Sequence, residues 1–349
     1  MKFDLDIPLD FDPEIPVDSA WTPPARWYRD PAFFEQEKAI FHSTWQAVAR
    51  LDQLSEPGSF VASEVAGEPV VVTRDAEGNL HALSNVCRHH AACVAEGQGQ
   101  AQELTCPYHG WRYQLDGRLK SAPRLGPAKD FERSAFSLPR FQVETWGPLV
   151  FVHLGRPERS LADELRPLKL RRLDELFFVA RRSWEIGCNW KVYVDNYLDG
   201  GYHVSHLHHD LAAKLDLEGY KTELFDTLSV QSCAGGEDAR VGAEAVYAFL
   251  FPNFMLNRYG PWLDTNLVVP LGVDRCLTVF DYYLEPEAVD KTFIEESLKA
   301  SDQVQQEDIL ICQSVQRGLG SRHYDKGRYA PLIEHADHQF HRLLARCLG

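Results

Sequence analysis

Two short segments rich in histidine and cysteine constrain this chain more than any other feature. In CRHHAACVAEGQGQAQELTCPYHGWRY, Cys87 and His89 form a Cys-x-His pair, and Cys106 and His109 form a Cys-x-x-His pair. Sixteen residues separate the halves. Each pair can sit on one loop, and two loops can clamp one compact inorganic centre. Two thiols and two imidazoles suit a tetrahedral zinc ion. They equally suit a two-iron, two-sulfur cluster in which neutral imidazoles replace thiolates on one iron, making an added electron easier to accept. Ligand identity leaves both open, and His90 and Cys93 stay spare in the same stretch.

A second block, DNYLDGGYHVSHLHH, runs from Asp195 to His209 and offers His203, His206, His208 and His209. An oxygen-activating iron is commonly held by two histidines and one carboxylate on one face. His203 and His208 are five apart, which on a straight helix separates them by about 140 degrees. A kink or wide turn would bring them together, and Gly200-Gly201 just upstream is a candidate source of one; spacing alone leaves the choice among the four histidines open. Further on, Val304, Asp308, Ile311, Cys312 and Val315 recur at helical spacing, so Asp308 interrupts an apolar face. A buried ionised carboxylate needs a metal or a salt-bridge partner. Glu307 is turned about 100 degrees away and is expected in solvent.

Around these blocks the chain has 349 residues, room for about two domains. Asp30-Pro31 predicts a helix start running to about His42. From Trp45 to about Leu154 the pattern is SFVASEVAG, EPVVVTRD, NLHALSNV, RFQVETWG and PLVFVHLG, separated by turns, which predicts a small antiparallel β domain with long metal-bearing loops. Pro157 to Pro167 reads as a boundary. Beyond it, strands are expected at Phe177–Ile186, Leu228–Ser232, Ala245–Asn257, Thr265–Val269 and Cys276–Leu284. Helices are expected from Trp190 and over Ala288 to Gln316, giving an α+β domain around an antiparallel sheet. The net charge of −15 argues against nucleic-acid binding. No stretch approaches the roughly 20 apolar residues of a membrane span, and the acidic, proline-broken start carries no secretory signal. Eight scattered cysteines do not make a disulfide scaffold, so a cytoplasmic or other reducing compartment is expected.

CPYHGWRY, DNYLDGGYHVSHLH, FPNFMLNRYGPW and QEDILICQSVQRGL together resemble the catalytic (alpha) subunits of Rieske non-heme iron oxygenases, and within them the choline-oxidising members, from about Trp27 onward. The resemblance implies a small antiparallel β Rieske domain over 45–155 and a larger, helix-grip-like catalytic domain with a central antiparallel sheet over 156–349. An N-terminal segment, 1–44, would pack on the latter. It assigns Cys87, His89, Cys106 and His109 to a [2Fe-2S] cluster, and His203, His208 and Asp308 to a mononuclear Fe(II). His206 and His209 fall outside that set. It also implies a homotrimer in which an acid before the first ligand histidine bridges to a cluster histidine of a neighbouring subunit. Asp199 is the candidate, with His109 as its contact. Many members place that acid three residues before the histidine, where Gly200 stands here, so Asp195 is a second candidate; Asn196 is expected near the iron. Electrons would come from a separate ferredoxin or NAD(P)H-dependent reductase, since the chain has no glycine-rich dinucleotide fingerprint.

The same resemblance implies monooxygenation of choline to betaine aldehyde hydrate. A trimethylammonium group offers no hydrogen-bond donor and is held by aromatic faces. The Phe251–Trp262 block offers Phe251, Phe254, Tyr259 and Trp262, with Tyr259 and Trp262 foremost, and Asn257 to orient the hydroxyl. Three alternatives stand beside it. One is N-demethylation of glycine betaine or a related betaine. Another is hydroxylation of an aromatic acid, for which Arg258 would be the anchor. The last is a noncatalytic, zinc-stabilised binding protein.

Overall fold

The computed structural model describes residues 8–208, 219–234 and 244–349. The chain divides into two compact units, Phe41–Asp163 and the combination of Met1–Ile40 with Glu164–Gly349. Among the described residues no helix is long and apolar enough to cross a membrane.

The Phe41–Asp163 unit is an antiparallel sheet of seven strands. In spatial order they are Gln46–Arg50, Leu149–His153, Arg140–Trp146, Leu80–Ser84, Glu68–Arg74, Ser59–Val65 and Gln98–Gln100. β-branched and aromatic residues fill these strands because they suit a pleated, half-buried surface; every residue of Leu149–His153 is buried. A second, three-stranded sheet, Leu104–Thr105, Arg112–Tyr113 and Leu119–Ser121, flanks the second Cys-His loop. Val71, Leu83, Trp111, Tyr113 and Leu138 pack into one core with Cys87 and Cys106. The metal-bearing loops are therefore anchored by their cysteines in the apolar interior.

The other unit is built on a second antiparallel sheet. Its order is Phe177–Ile186, Arg275–Leu284, Trp262–Gly272, Phe254–Tyr259, Glu244–Leu250, Leu228–Ala234 and Lys221–Leu224. The single strand expected over Ala245–Asn257 is two strands, Glu244–Leu250 and Phe254–Tyr259, joined by a reversal through Phe251, Pro252 and Asn253. Pro252 has no N–H to give the ladder. Asn253 closes the reversal instead, donating its Nδ2 to the Val268 carbonyl at 2.8 Å.

The helix Trp190–Leu198 contacts the Trp262–Gly272 strand and the long helix Lys291–Leu319. Asn189 caps the first, its Oδ1 accepting from Lys191 N at 3.0 Å; Asp290 caps the second, accepting from Phe293 N at 2.8 Å. A final helix, His335–Leu348, also contacts Trp190–Leu198. Below it lies a fully buried ion pair. Lys191 Nζ is 2.5 Å from Glu37 Oε1, and Trp190 Nε1 donates to Glu37 Oε2 at 2.8 Å.

Candidate active site

In the smaller unit the two Cys-His loops converge. The Cys87 and Cys106 side chains are buried at 2% exposure each, while the His89 and His109 rings face each other with their Nδ1 atoms 3.1 Å apart. Trp111 stacks on His89, centroids 4.8 Å apart and planes 8° from parallel. Gly110, at φ 71°, lets its N–H turn back to the Cys106 carbonyl at 3.0 Å. The Tyr113 hydroxyl lies 3.3 Å from Cys87 Sγ and accepts from Arg88 N at 3.0 Å. Burial pushes the Cys87 thiol up and the Tyr113 contact partly offsets it, while nearby Cys106 raises it further. Two neighbouring buried thiols can both ionise only beside a cationic centre. Two neighbouring buried thiols and two facing Nδ1 atoms, all on the same two loops, fit a [2Fe-2S] cluster with mixed ligation. The His90 ring lies 4.0 Å from that of His89, tilted by 58°, and Cys93 lies in the bridge Val86–Cys93, so both spare residues flank the loop.

In the larger unit the helix Trp190–Leu198 breaks before the histidine block, and a one-turn helix, Val204–Leu207, follows. Gly200 and Gly201 occupy the break at φ 70° and 77°. A Cβ on Gly200 would lie 2.6 Å from the Ile333 carbonyl oxygen and from its side chain. His203 precedes the short helix and His208 follows it with φ −110° and ψ 66°. That broken geometry brings the two rings to 5.0 Å, which a straight helix would not.

Asp308 completes the group from the Lys291–Leu319 helix. His208 Nε2 is 3.0 Å and His203 Nε2 3.9 Å from Asp308 Oδ1. One ligand atom from each of the three residues lies within 4.8 Å of the others. Ligand atoms each about 2 Å from a common ion, on one face, stand at such separations. The donors thus fit a two-histidine, one-carboxylate iron site. Asn196 Nδ2 donates to Asp308 Oδ1 at 2.8 Å. Asp199 Oδ2 lies 2.7 Å from His203 Nδ1 and accepts from His203 N at 2.9 Å, so this acid orients the ligand ring.

Glu307 corrects an expectation. It is not a solvated residue: its Oε2 is 2.6 Å from His208 Nδ1. Burial disfavours a charged His208, but Asp308 and Glu307 on its two nitrogens outweigh it and raise the imidazole above its ordinary value. A helical wheel places residues around one axis and cannot see an imidazole brought in by another segment. Asp195 turns away from the three ligands toward Tyr28 and His341. His206 is exposed, and His209 lies outside the described residues.

A cavity of about 100 Å³ opens beside the three ligands. Its wall carries Tyr193, Tyr197, Tyr220, Tyr247, Tyr259 and Phe280, with polar Asn257, Asn266, Ser301 and Gln305. The rings of Tyr247 and Tyr259 meet edge to face at 5.6 Å. The Tyr197 hydroxyl is held against the sheet, 2.9 Å from the Leu256 carbonyl and 3.0 Å from Asn257 Oδ1. Burial raises Tyr193, Tyr197, Tyr220 and Tyr247 well above the usual phenol range, so all four are neutral.

Of the residues expected at a substrate pocket, Tyr259 and Asn257 line this cavity and Phe251, Phe254 and Trp262 do not. Side chains alternate across a strand, so on Phe254–Tyr259 residues 257 and 259 face the cavity while Phe254 faces the other way. Phe251 packs toward Phe340, and Trp262 lies between Tyr282 and Phe293. Arg258, also on the far face, pairs with Glu285. The missed residues Tyr197, Tyr220, Tyr247 and Phe280 come from four segments. Strand parity would have pointed to Tyr247 and Phe280 once the register was known.

Comparison with known proteins agrees with both centres. Residues 44–139 match the Rieske [2Fe-2S] domain, and residues 173–349 match the ring hydroxylating alpha subunit (catalytic domain). The chain belongs to the Rieske non-heme iron oxygenases, as a catalytic subunit. It is 46% identical to chloroplastic choline monooxygenase of Arabidopsis thaliana over 358 residues, covering 96% of this chain and 85% of that protein. It is 30% identical to the carnitine monooxygenase oxygenase subunit of Escherichia coli K12, covering 94% of each. The crystal structure of the quaternary ammonium Rieske monooxygenase CntA with L-carnitine superposes with a TM-score of 0.85 at 28% identity, covering 99% of this chain and 100% of that one. The protein is thus a Rieske non-heme iron monooxygenase, with a [2Fe-2S] cluster and a mononuclear iron. The alternative of a noncatalytic zinc-stabilised protein is set aside.

Proposed function

We propose that the substrate is choline and that the alcohol-bearing carbon is hydroxylated, giving betaine aldehyde hydrate. The observation that carries this reading is the tyrosine wall beside the His203, His208 and Asp308 donors. Neutral phenol faces attract a trimethylammonium group without demanding a hydrogen bond from it. The charged carboxyl residues that line the cavity among the described residues, Asp264 and Asp308, also favour a cation. Carnitine and glycine betaine carry a carboxylate that this wall would repel, whereas choline carries a hydroxyl that Asn257, Ser301 or Gln305 can hold.

The iron, when bound, supplies oxygen activation. One oxygen atom enters the C–H bond and the other leaves as water, at a cost of two electrons and two protons. The protein's residues orient the substrate carbon toward the open face of the three ligands and keep water away from it. The electrons come from a separate ferredoxin or NAD(P)H-dependent reductase through the Cys87, His89, Cys106 and His109 centre. In this reading Asp199 links the iron ligand His203 to the neighbouring subunit's His109 in a homotrimer.

The test is single-turnover product analysis with both centres loaded, the cluster reduced, and labelled oxygen added. Betaine aldehyde carrying label trapped before hydrate exchange supports the reading. Formaldehyde release from glycine betaine or carnitine, with no choline product, would replace it with N-demethylation.

A further inference from the structure

One row of side chains crosses the cavity wall from strand to strand. Tyr247 on Glu244–Leu250 pairs with Asn257 on Phe254–Tyr259, and Asn257 pairs with Asp264 on Trp262–Gly272. Paired residues of antiparallel neighbours project on one face of the sheet, and all three line the cavity. Tyr247 and Asp264, two strands apart, are separated by about 10 Å at the backbone, with the short Asn257 between them. An aromatic face thus stands at one end of the row and a carboxyl group at the other.

Asp264 is 2% exposed, and amides hold it in place. Asn257 Nδ2 donates to its Oδ2 at 2.6 Å. Asn266, two residues along the same strand, donates to that oxygen at 3.2 Å once its amide is turned so that the nitrogen faces acceptors. Asn257 is fixed in turn by the Tyr197 hydroxyl, which donates to its Oδ1 at 3.0 Å. Hydrogen bonds donated to a carboxylate favour its ionised form, and neutral amides orient the charge without cancelling it. The charge is felt nearby: burial first, then Tyr220, Tyr259 and Asp264, raise the Tyr197 phenol. Asp308, the other acid of the lining, belongs to the iron ligands, and among the described residues no lysine or arginine lines the cavity.

We propose that Asp264 is the specificity-determining residue of this cavity: it supplies the counter-charge for the substrate's ammonium group and turns away trimethylammonium compounds that carry a carboxylate of their own. The inference rests on the choline reading and deepens it. A trimethylammonium group lying over Asn257 meets the Tyr247 ring on one side and the Asp264 carboxylate on the other. A cation that leaves water is stabilised there by a fixed opposite charge in place of its hydration.

The tyrosine faces attract the trimethylammonium groups of choline, glycine betaine and carnitine alike, so they do not choose among them. Asp264 does. Choline brings one positive charge to one carboxylate. Glycine betaine and carnitine bring a second carboxylate into the same cavity, where like charges held close disfavour one another and the lining offers no basic side chain to receive it. A carboxylate that only held Asn257 and Asn266 in place would act on charged and uncharged ligands equally, and that difference separates the two roles.

Calorimetric binding to the anaerobic holoenzyme compares choline, its uncharged carbon isostere 3,3-dimethylbutan-1-ol, tetramethylammonium as the cation alone, and glycine betaine. Asp264→Asn is expected to weaken choline and tetramethylammonium about ten-fold or more while leaving the isostere nearly unchanged. An equal loss for choline and the isostere, or no loss for either, overturns the proposal. Glycine betaine is expected to gain on choline in the same variant, and an unchanged ratio overturns the selection against zwitterions. Asp264→Glu keeps the charge and is the second variant: choline still preferred over the isostere is expected, and equal binding of the two overturns the proposal. Product analysis that revealed another trimethylammonium substrate would remove the choline reading, while tetramethylammonium binding would still decide for or against Asp264.

Discussion

Glu307 Oε2 lies 2.6 Å from His208 Nδ1 while the next residue, Asp308, reaches the other nitrogen of the same ring at 3.0 Å. Consecutive residues of one helix thus grip one imidazole from two sides. A carboxylate on the far nitrogen fixes the tautomer and raises the basicity of the ligating one. Glu307→Ala is expected to weaken iron binding by about 10–100-fold and to leave the cluster's visible spectrum unchanged. Iron retention against a chelator measures it.

Gly200 is expected to tolerate no side chain. Its φ of 70° and the Ile333 carbonyl 2.6 Å from an added Cβ combine conformational strain with a backbone clash. Gly200→Ala should destabilise by about 2 kcal/mol or more and shift His203 out of the ligand set. Thermal unfolding and iron content report the two effects.

The Glu37–Lys191 pair makes an asymmetric prediction. Both side chains are at most 1% exposed. Removing one partner leaves a bare charge in the interior, so Lys191→Met should cost about 3–5 kcal/mol. Glu37→Leu combined with Lys191→Met should recover most of that loss. Denaturant unfolding of the single and double variants forms the cycle.

Tyr113 contacts the Cys87 sulfur at 3.3 Å. A hydroxyl donating to a cluster thiolate stabilises the charge of the reduced state. Losing about 1 kcal/mol of such a bond in Tyr113→Phe should lower the cluster potential by roughly 40 mV. Protein-film voltammetry reads the shift.

The tyrosine wall should act on affinity. Tyr247→Leu is expected to raise the KM for choline about ten-fold, because a ring face desolvated against a cation contributes on the order of 1–2 kcal/mol. Tyr247→Phe should nearly preserve it, since the ring face remains. Steady-state kinetics of the two variants separates a cation–π contact from a hydroxyl contact.

Much of the chemistry was legible in the chain. Cys-x-His and Cys-x-x-His lie within short loops, where sequence proximity is spatial proximity, so Cys87, His89, Cys106 and His109 could be read together. Gly200-Gly201 marked the break before the histidine block, from which the family resemblance selected His203 and His208; Asp308 is buried as expected, but on a face shared with Ser301, Gln305 and Cys312, while Ile311 and Val315 of the expected apolar face are exposed. The cavity was less legible. A wall made by Tyr197, Tyr220, Tyr247 and Phe280 depends on which strand face points inward, and a one-residue change of register reverses that. Reading Ala245–Asn257 as a single strand hid the reversal at Pro252 that sets the parity of Asn257 and Tyr259. Glu307 at His208, and the meeting of Tyr28, Asp195 and His341, depend on segments 99 to 313 positions apart in the chain being packed together. Residue types and local spacing marked where metals could sit because ligation is short-range chemistry, and the family resemblance chose iron over zinc; the pocket and these buried contacts arise from packing between distant segments, which no local pattern encodes.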